Sequence, residues 1–396
     1  MDFALTEEQI ELKKWAHEFA EKEIRPVAAE YDETEEFPWP VLKKAAEAGL
    51  YSLDIYLQSQ QDPSGMTLPL IMEETFWGCA GIGLAIFGSG LPLSALAAVG
   101  TQDQLFEWAP KMFGTPEDPK VGAFAVTEPQ AGSDVRSLRT KAVREGDEWV
   151  LNGQKVFITN GQYASVYIIV ATVDPDLGHR GQASFIVSRD DPGLKPGKKE
   201  KKLGIRASDT SEVLLDDCRI PVDRVLGGID KLEEKLERAR KGESSGRSSA
   251  ALRTFEVTRP SVAAQAVGIA RAALEFAVDY AKDRKAFGVP ISQHQSIQNA
   301  LADMAVEVEC ARLLVHRAAW LAASGQPFEK AEGSMSKLKA SEVAVRVTEQ
   351  AIQVLGGYGY IKDFPVEKWY RDSKIYTIFE GTSEIQRMVI ARALTA

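Results

Sequence analysis

Glu380 stands between the apolar pair Ile378-Phe379 and Gly381, within Tyr376-Thr-Ile-Phe-Glu-Gly-Thr-Ser-Glu-Ile-Gln-Arg387. Apolar neighbours desolvate a carboxylate and raise its pKa toward the range of a general base. The adjacent glycine lets backbone approach a ligand closely. A helix capped by Thr382 or Ser383 would present free N–H groups to an anion. On chemistry alone, a plain loop-to-helix junction remains an open alternative.

Two further segments have ligand-binding chemistry. In Phe124-Ala-Val-Thr-Glu-Pro-Gln-Ala-Gly-Ser-Asp134, a strand runs into a turn containing Pro129, Gly132 and Ser133. Such a turn frees N–H groups and hydroxyls to converge on a phosphate or the polar edge of a flavin. It is neither a Walker loop nor a Gly-x-Gly-x-x-Gly fingerprint, which excludes a Rossmann reading. In Phe157-Ile158-Thr159-Asn160-Gly161, an aromatic followed two residues later by a hydroxyl can cover a planar ring and bond its edge. A structural turn and a hairpin corner are the respective alternatives.

The elements that must position these residues fall into three blocks. Residues 1–118 read as helical. Thr6-Glu7-Glu8-Gln9 fits a capping box, Leu12, Trp15, Ala16 and Phe19 share a helix face, and Gln58–Gly65 is expected to be a surface loop. Residues 119–228 carry short β-branched and aromatic runs, with turn chemistry at Glu145-Gly146-Asp147 and Asn152-Gly153, and read as an antiparallel β-domain. The basic run Lys198–Lys202 is expected to be a solvated loop. Residues 229–396 are helical again, and Ile297, Leu301, Met304, Val308, Ala311 and Val315 mark the packed face of a bundle helix. The segment Asp230–Ser249 stands apart, a charged helical run followed by a small, polar linker. The fold class is therefore α+β and multidomain.

The chain has 396 residues and a net charge of −10, a balance that argues against nucleic-acid or anionic-membrane binding. Cys79, Cys218 and Cys310 have no metal-binding spacing and the histidines are scattered, so no metal is expected. The N-terminus has no basic leader or secretory core, and no uninterrupted apolar run of membrane-spanning length is evident, so a soluble cytoplasmic protein is expected.

Taken together, the three segments resemble the acyl-CoA dehydrogenase family in order and spacing. Thr258-Arg259-Pro260 before a helix, Asp283-Arg284-Lys285-Ala286-Phe287-Gly288 and Gln353-Val354-Leu355-Gly356-Gly357 add to the match. The resemblance spans nearly the whole chain. It implies a helical N-terminal domain, a middle β-domain and a C-terminal four-helix bundle, assembled as a homotetramer around FAD. It sets Phe124, Val126, Thr127, Gly132, Ser133, Phe157, Ile158 and Thr159 around the flavin. Arg284, Phe287, Gln295, Gln353, Gly356 and Gly357 would reach the FAD of a neighbouring subunit, and Thr382 and Glu384 its adenosine end. Ser133, Phe255, Glu256, Arg259, Gly381 and Arg392 would contact an acyl-CoA substrate, although a helix-start ion pair is the alternative for Arg259. Glu380 would be the catalytic base of α,β-desaturation, with its own N–H donating to the thioester oxygen and an electron-transferring flavoprotein taking the electrons. Family members that carry the base elsewhere use the helix of Thr258, and a threonine cannot serve. An acyl-CoA oxidase and a non-catalytic binding member of the fold are the competing readings.

The chain also departs from the family pattern. Asp230–Ser249 is extra, and its expected place near the CoA entrance makes it a lid or a partner contact. Leu57–Met66 lacks a common Gly-rich segment. Phe87 and Leu91 align with the distal end of the acyl pocket, where a bulky Phe87 would favour short or medium chains.

Overall fold

The computed structural model describes residues 4–243 and 250–395, with the side chains of residues 250–257 excepted. Eight helices come first: α1 (Glu7–Phe19), α2 (Ala28–Thr34), α3 (Trp39–Glu47), α4 (Leu53–Gln61), α5 (Thr67–Gly78), α6 (Ala80–Phe87), α7 (Gly90–Val99) and α8 (Gln102–Phe113). Thr6 caps α1 in a reciprocal box with Gln9, and Ala16 and Phe19 are buried on its inner face. The expected loop at Gln58–Gly65 is partly helix. Ser52 caps α4 by accepting from the Ile55 N–H, and the helix runs to Gln61. Only the turn beyond it is irregular, where Asp62 accepts from the N–H groups of Ser64 and Thr67. A serine cap and the burial of Ile55 and Tyr56 thus carry through a helix a polar stretch that composition alone assigns to a loop.

Seven strands follow: β1 (Gly122–Ala125), β2 (Lys141–Glu145), β3 (Glu148–Thr159), β4 (Val166–Thr172), β5 (Gln182–Ser188), β6 (Leu194–Lys199) and β7 (Thr210–Pro221). They lie in the order β1-β4-β2-β3-β7-β6, with β5 paired to β4. Pairing is antiparallel except where β4 meets β1 and touches β2. Gly146 (φ 64°) makes the β2–β3 turn as expected. Asn152-Gly153, expected to be a turn, instead lies inside β3 at a register shift. Gly153 is required there because a Cβ would stand 2.4 Å from Thr140 Oγ1, while Asn152 exchanges two hydrogen bonds with Asp217. The basic run is also only partly a solvated loop. Lys198 and Lys199 belong to β6, and Lys202 donates to Ser208 O at 2.5 Å, its pKa pushed down to about 8 by burial.

The remaining helices are α9 (Ile229–Arg240), α10 (Ala250–Asp283), α11 (Gln295–Ala323), α12 (Glu332–Leu355), α13 (Val366–Ser373) and α14 (Ser383–Thr395). Helices α10, α11 and α12 pack on one another, α14 packs on α12, and α10 also packs on α5. The stripe on α11 is core, with Met304, Val308, Ala311 and Val315 buried. Thr258-Arg259-Pro260 does not precede a helix but lies within α10, which starts eight residues before Thr258. Two stretches, Ala80–Val99 and Thr258–Asp283, do have the length and apolarity of a membrane span, contrary to expectation. Their windows are 61% and 72% buried inside the protein, as core helices are.

Helix α9, the first half of the extra segment, is seated on the middle domain. Leu232 joins its core, Ile229 and Leu236 pack beside it, and Arg240 pairs with Asp174 at 2.9 Å. Residues 244–249 of the expected linker lie outside the described residues.

The three regions meet at Asp372. Its Oδ1 accepts from the Ile205 N–H of the middle domain at 2.5 Å, and its Oδ2 accepts from Lys368 Nζ at 2.5 Å. Lys368 in turn reaches Cys79 Sγ, between α5 and α6, at 3.2 Å. Burial opposes the Lys368 charge, yet Asp372 holds its pKa above the usual lysine value. Removing one member of such a pair leaves a buried charge uncompensated. Asp372→Ala is expected to cost about 3–5 kcal/mol in denaturant unfolding. A loss below about 1 kcal/mol, the range of a surface pair, would refute this role.

Candidate active site

Glu380 lies on the turn between α13 and α14, in the left-handed region at φ 55° and followed by Gly381 at φ 89°. Three helices surround it. From α10, Thr258 Oγ1 donates to Glu380 Oε2 at 3.2 Å. From α12, Lys337 Nζ donates to Phe379 O at 2.8 Å and Gly381 O at 2.7 Å. From α14, Gln386 Nε2 donates to Glu380 O at 3.1 Å and Gly381 O at 2.9 Å. Thr382, rather than Ser383, provides the α14 cap by accepting from the Ile385 N–H at 3.3 Å. Arg259 is buried one residue beyond Thr258, inside α10, and its Nη1 donates to Ser334 Oγ in the first turn of α12 at 2.9 Å.

Burial raises the Glu380 pKa to about 7, against the Thr258 hydrogen bond and the charges of Lys337 and Arg259, which pull it down. The residue as a whole is nonetheless only partly buried. The result is a carboxylate that ionises near neutrality on an accessible turn, which is what a general base needs.

The second and third segments come together on the middle domain. Val156 N–H donates to Thr127 O at 2.9 Å, joining the β1 turn to the end of β3. A register shift between Lys155 and Ile158 puts Phe157 at φ 59° and leaves its ring 65% exposed, while Ile158 beside it is buried. Beneath the turn, Lys155 is fully buried and donates to Val126 O at 2.9 Å and Glu128 Oε1 at 2.7 Å. Glu128 also accepts from the N–H groups of Arg139 and Thr140. Burial works against the Glu128 charge, but these partners hold its pKa well below the usual carboxylate value. Gly132 and Ser133 are exposed at the tip, where a Cβ on Gly132 would meet nothing within 4 Å. Gly88, between α6 and α7, sits against Thr159 and Asn160, which brings the end of α6 with Phe87 to this face.

A separate groove of about 430 Å³ lies at the far end of α10, lined by Tyr280, Arg284, Ile291, Gly356, Gly357 and Tyr358 among others. Arg284 stands over the Tyr358 ring, and both glycines face open space. Nearby, the Gln353 carbonyl accepts from the N–H of the C-cap Gly356 at the end of α12, and Gln295 is exposed at the start of α11. Phe287 and Gly288 form the tip of a hairpin (Lys285–Ala286 with Val289–Pro290), which leaves the Phe287 ring 96% exposed. At 1.5 Å per residue, Arg284 lies about 39 Å along α10 from Thr258. The expected site residues therefore form separate groups within one protomer. Arg392 belongs to none of them, being exposed near the end of α14, about 13 Å along it from Ser383. Glu384 is exposed in the first turn of that helix. The side chains of Phe255 and Glu256 lie outside the described residues.

Lys337, Gln386, Lys155 and Glu128 were not singled out from sequence. Lys337 does leave a signal: it falls in the helical step of Ala340, Ala344 and Val347, a charge on a stripe of small and apolar residues.

Comparison with known proteins agrees with this architecture. Family models of the acyl-CoA dehydrogenase N-terminal, middle and C-terminal domains match residues 6–115, 123–218 and 248–395. The chain is 42% identical to the mitochondrial short-chain specific acyl-CoA dehydrogenase of Bos taurus, over 96% of this chain and 88% of that one. The structure of butyryl-CoA dehydrogenase from Megasphaera elsdenii superposes with a TM-score of 0.89 at 36% identity, covering 100% of both chains. A chain from a study of the electron transferring flavoprotein of Acidaminococcus fermentans gives 0.87 at 37% identity, covering 100% of this chain and 99% of that one. The protein belongs to the acyl-CoA dehydrogenase family, a family of FAD-dependent oxidoreductases. The exposed Phe157 ring, the open tip at Gly132-Ser133 and the cradle at Gly356-Gly357 suit such a planar, phosphate-bearing cofactor.

The Glu380 pKa carries a stability consequence. A carboxyl whose folded pKa exceeds its unfolded value of about 4.5 destabilises the fold progressively as pH rises from there to about 7. Glu380→Gln is therefore expected to melt above the wild type at pH 8, with the gap closing toward pH 5. A gap that does not change with pH would contradict a desolvated carboxylate.

Proposed function

We propose that the chain catalyses the α,β-desaturation of a short-chain acyl-CoA thioester to the trans-2-enoyl-CoA. The observation that carries this reading is Glu380, a carboxylate ionising near pH 7 on an open turn with its backbone gripped from two helices. Its carboxylate takes the α-proton while its own N–H donates to the thioester oxygen, on which negative charge develops. Loss of one such donor typically costs roughly 3–4 kcal/mol of transition-state stabilisation. The chemistry a bound FAD would supply is acceptance of the β-hydride. Phe157 and Thr159 would cover and hydrogen-bond the flavin, Val126, Thr127, Gly132 and Ser133 would hold its polar edge, and the Lys155–Glu128 pair keeps that turn in place.

Assembly as a homotetramer accounts for the separation along α10. The groove at Arg284, Gly356 and Gly357, with Phe287, Gln295 and Gln353, then serves the cofactor of a neighbouring subunit. An electron-transferring flavoprotein reoxidises the enzyme, a reading supported by the similarity to a chain studied with such a protein. The short-chain preference is supported by the names of the relatives and by Phe87, which is buried against Phe76 with ring centroids 6.5 Å apart.

Anaerobic titration of the FAD-loaded protein with acyl-CoAs of graded length tests the reaction. Butanoyl-CoA is expected to bleach the flavin band, and Glu380→Gln to slow bleaching by about 10²–10⁴. The kcat/KM of the wild type should rise with pH through about 7 as free Glu380 ionises. A pH-independent profile, or undiminished bleaching in Glu380→Gln, would remove Glu380 as the base. Phe87→Ala is expected to raise kcat/KM for octanoyl-CoA relative to butanoyl-CoA. An unchanged ratio would take Phe87 out of the acyl pocket.

A further inference from the structure

Lys337 is a charged side chain on a face of α12 whose other members are small or apolar. Ser334, Ala340, Ser341, Ala344 and Val347 are all buried with it, and Lys337 itself is 1% exposed. Burying an ammonium is costly unless it is well paired. Its Nζ meets that need with two backbone carbonyls, Phe379 O at 2.8 Å and Gly381 O at 2.7 Å, which flank Glu380. Burial pushes its pKa down to about 8, with the Glu380 charge acting in the opposite sense.

Two carbonyls two residues apart converge on one ammonium only if the chain between them curls. Glu380 supplies the curl at φ 55°, a conformation that costs a non-glycine residue free energy and persists only where surroundings impose it. Gln386 closes the other side through Glu380 O and Gly381 O. The peptide between Phe379 and Glu380 is trans, so its C=O and N–H point to opposite sides. With Phe379 O bound to Lys337, the N–H of Glu380 is turned away from α12. Among the described residues, that N–H donates to no backbone acceptor. A cation on the carbonyl also polarises the amide and strengthens its N–H as a donor.

We propose that Lys337 is a positioning residue for α-proton abstraction: by binding the carbonyls on either side of Glu380, it aims and polarises the Glu380 N–H toward the thioester oxygen. It acts through the backbone on either side of Glu380. The inference rests on Glu380 as the base and names the group that sets the geometry of that base.

The test uses full-length, FAD-loaded protein and a 3-ketoacyl-CoA, whose bound enolate carries the negative charge the site must stabilise. The enolate pKa is read from the pH dependence of its absorbance with the flavin. In Lys337→Met it is expected to rise by about one to two units, a ten- to hundred-fold loss of stabilisation. Lys337→Gln, which keeps a neutral donor, should fall between that value and wild type, and Lys337→Arg should stay near wild type. A thioether analogue of the acyl-CoA, lacking the carbonyl, should bind all variants alike. An unshifted enolate pKa in Lys337→Met and Lys337→Gln overturns the proposal. So does loss of flavin from both, which would mark a purely structural lysine. Glu380→Gln is measured alongside: if it still desaturates substrate, the reading of the base fails. If it is inert while Lys337→Met keeps the wild-type enolate pKa, only the role of Lys337 fails.

Discussion

Asp372 is the point on which the arrangement of domains depends. One carboxylate oxygen holds the Ile205 N–H of the middle domain and the other holds Lys368, which extends to Cys79 of the N-terminal helices. The backbone is equally constrained, because a Cβ on Gly204 would stand 2.4 Å from the Arg371 carbonyl. A buried pair of this kind adds little stability over an apolar equivalent, but it penalises any packing that separates its members. The junction lies in α13, eight residues before Glu380. Whatever fixes α13 against the middle domain therefore also fixes where the base enters the site.

The electrostatics around the base follow from competition between burial and pairing. Thr258, Lys337 and Arg259 all favour the charged form of Glu380, yet desolvation outweighs them and brings its pKa to about 7. The balance goes the other way at Glu128, where Lys155 and two backbone N–H groups override burial and keep the carboxylate ionised. Burial opposes the charge of both carboxylates, but only Glu128 accepts from a buried ammonium and two backbone N–H groups. Glu128 is accordingly a fixed strut under the turn, and Glu380 a group free to exchange a proton.

The extra segment shows how local signals can be right while their tertiary consequence is hidden. The charged helical run beginning at Asp230 does form a helix, and Leu232 and Leu236 do share its apolar face. What they cover is the core of the middle domain, to which Arg240 and Lys235 also tie the helix. An amphipathic pattern states that a face must be buried without stating against what. For the described half of this segment, the answer is a buttress on the β-domain.

The sequence by itself determined the helical, β and helical blocks, the cap at Thr6, the hairpin turn at Gly146 and the apolar stripe of α11, because each depends on period, turn chemistry or capping within a few residues. It also marked Glu380 through its apolar flank and the neighbouring Gly381. Only the tertiary structure decided that Asn152-Gly153 is a bulge inside a strand, since that depends on the approach of Thr140 from β2's side of the sheet. The outward turn of Phe157 likewise needs the register shift against β7. The grip of Lys337 on the carbonyls around Glu380 joins residues more than forty positions apart. No local pattern encodes such a contact, because it exists only once α12 and the α13–α14 turn pack together and a buried ammonium must find acceptors.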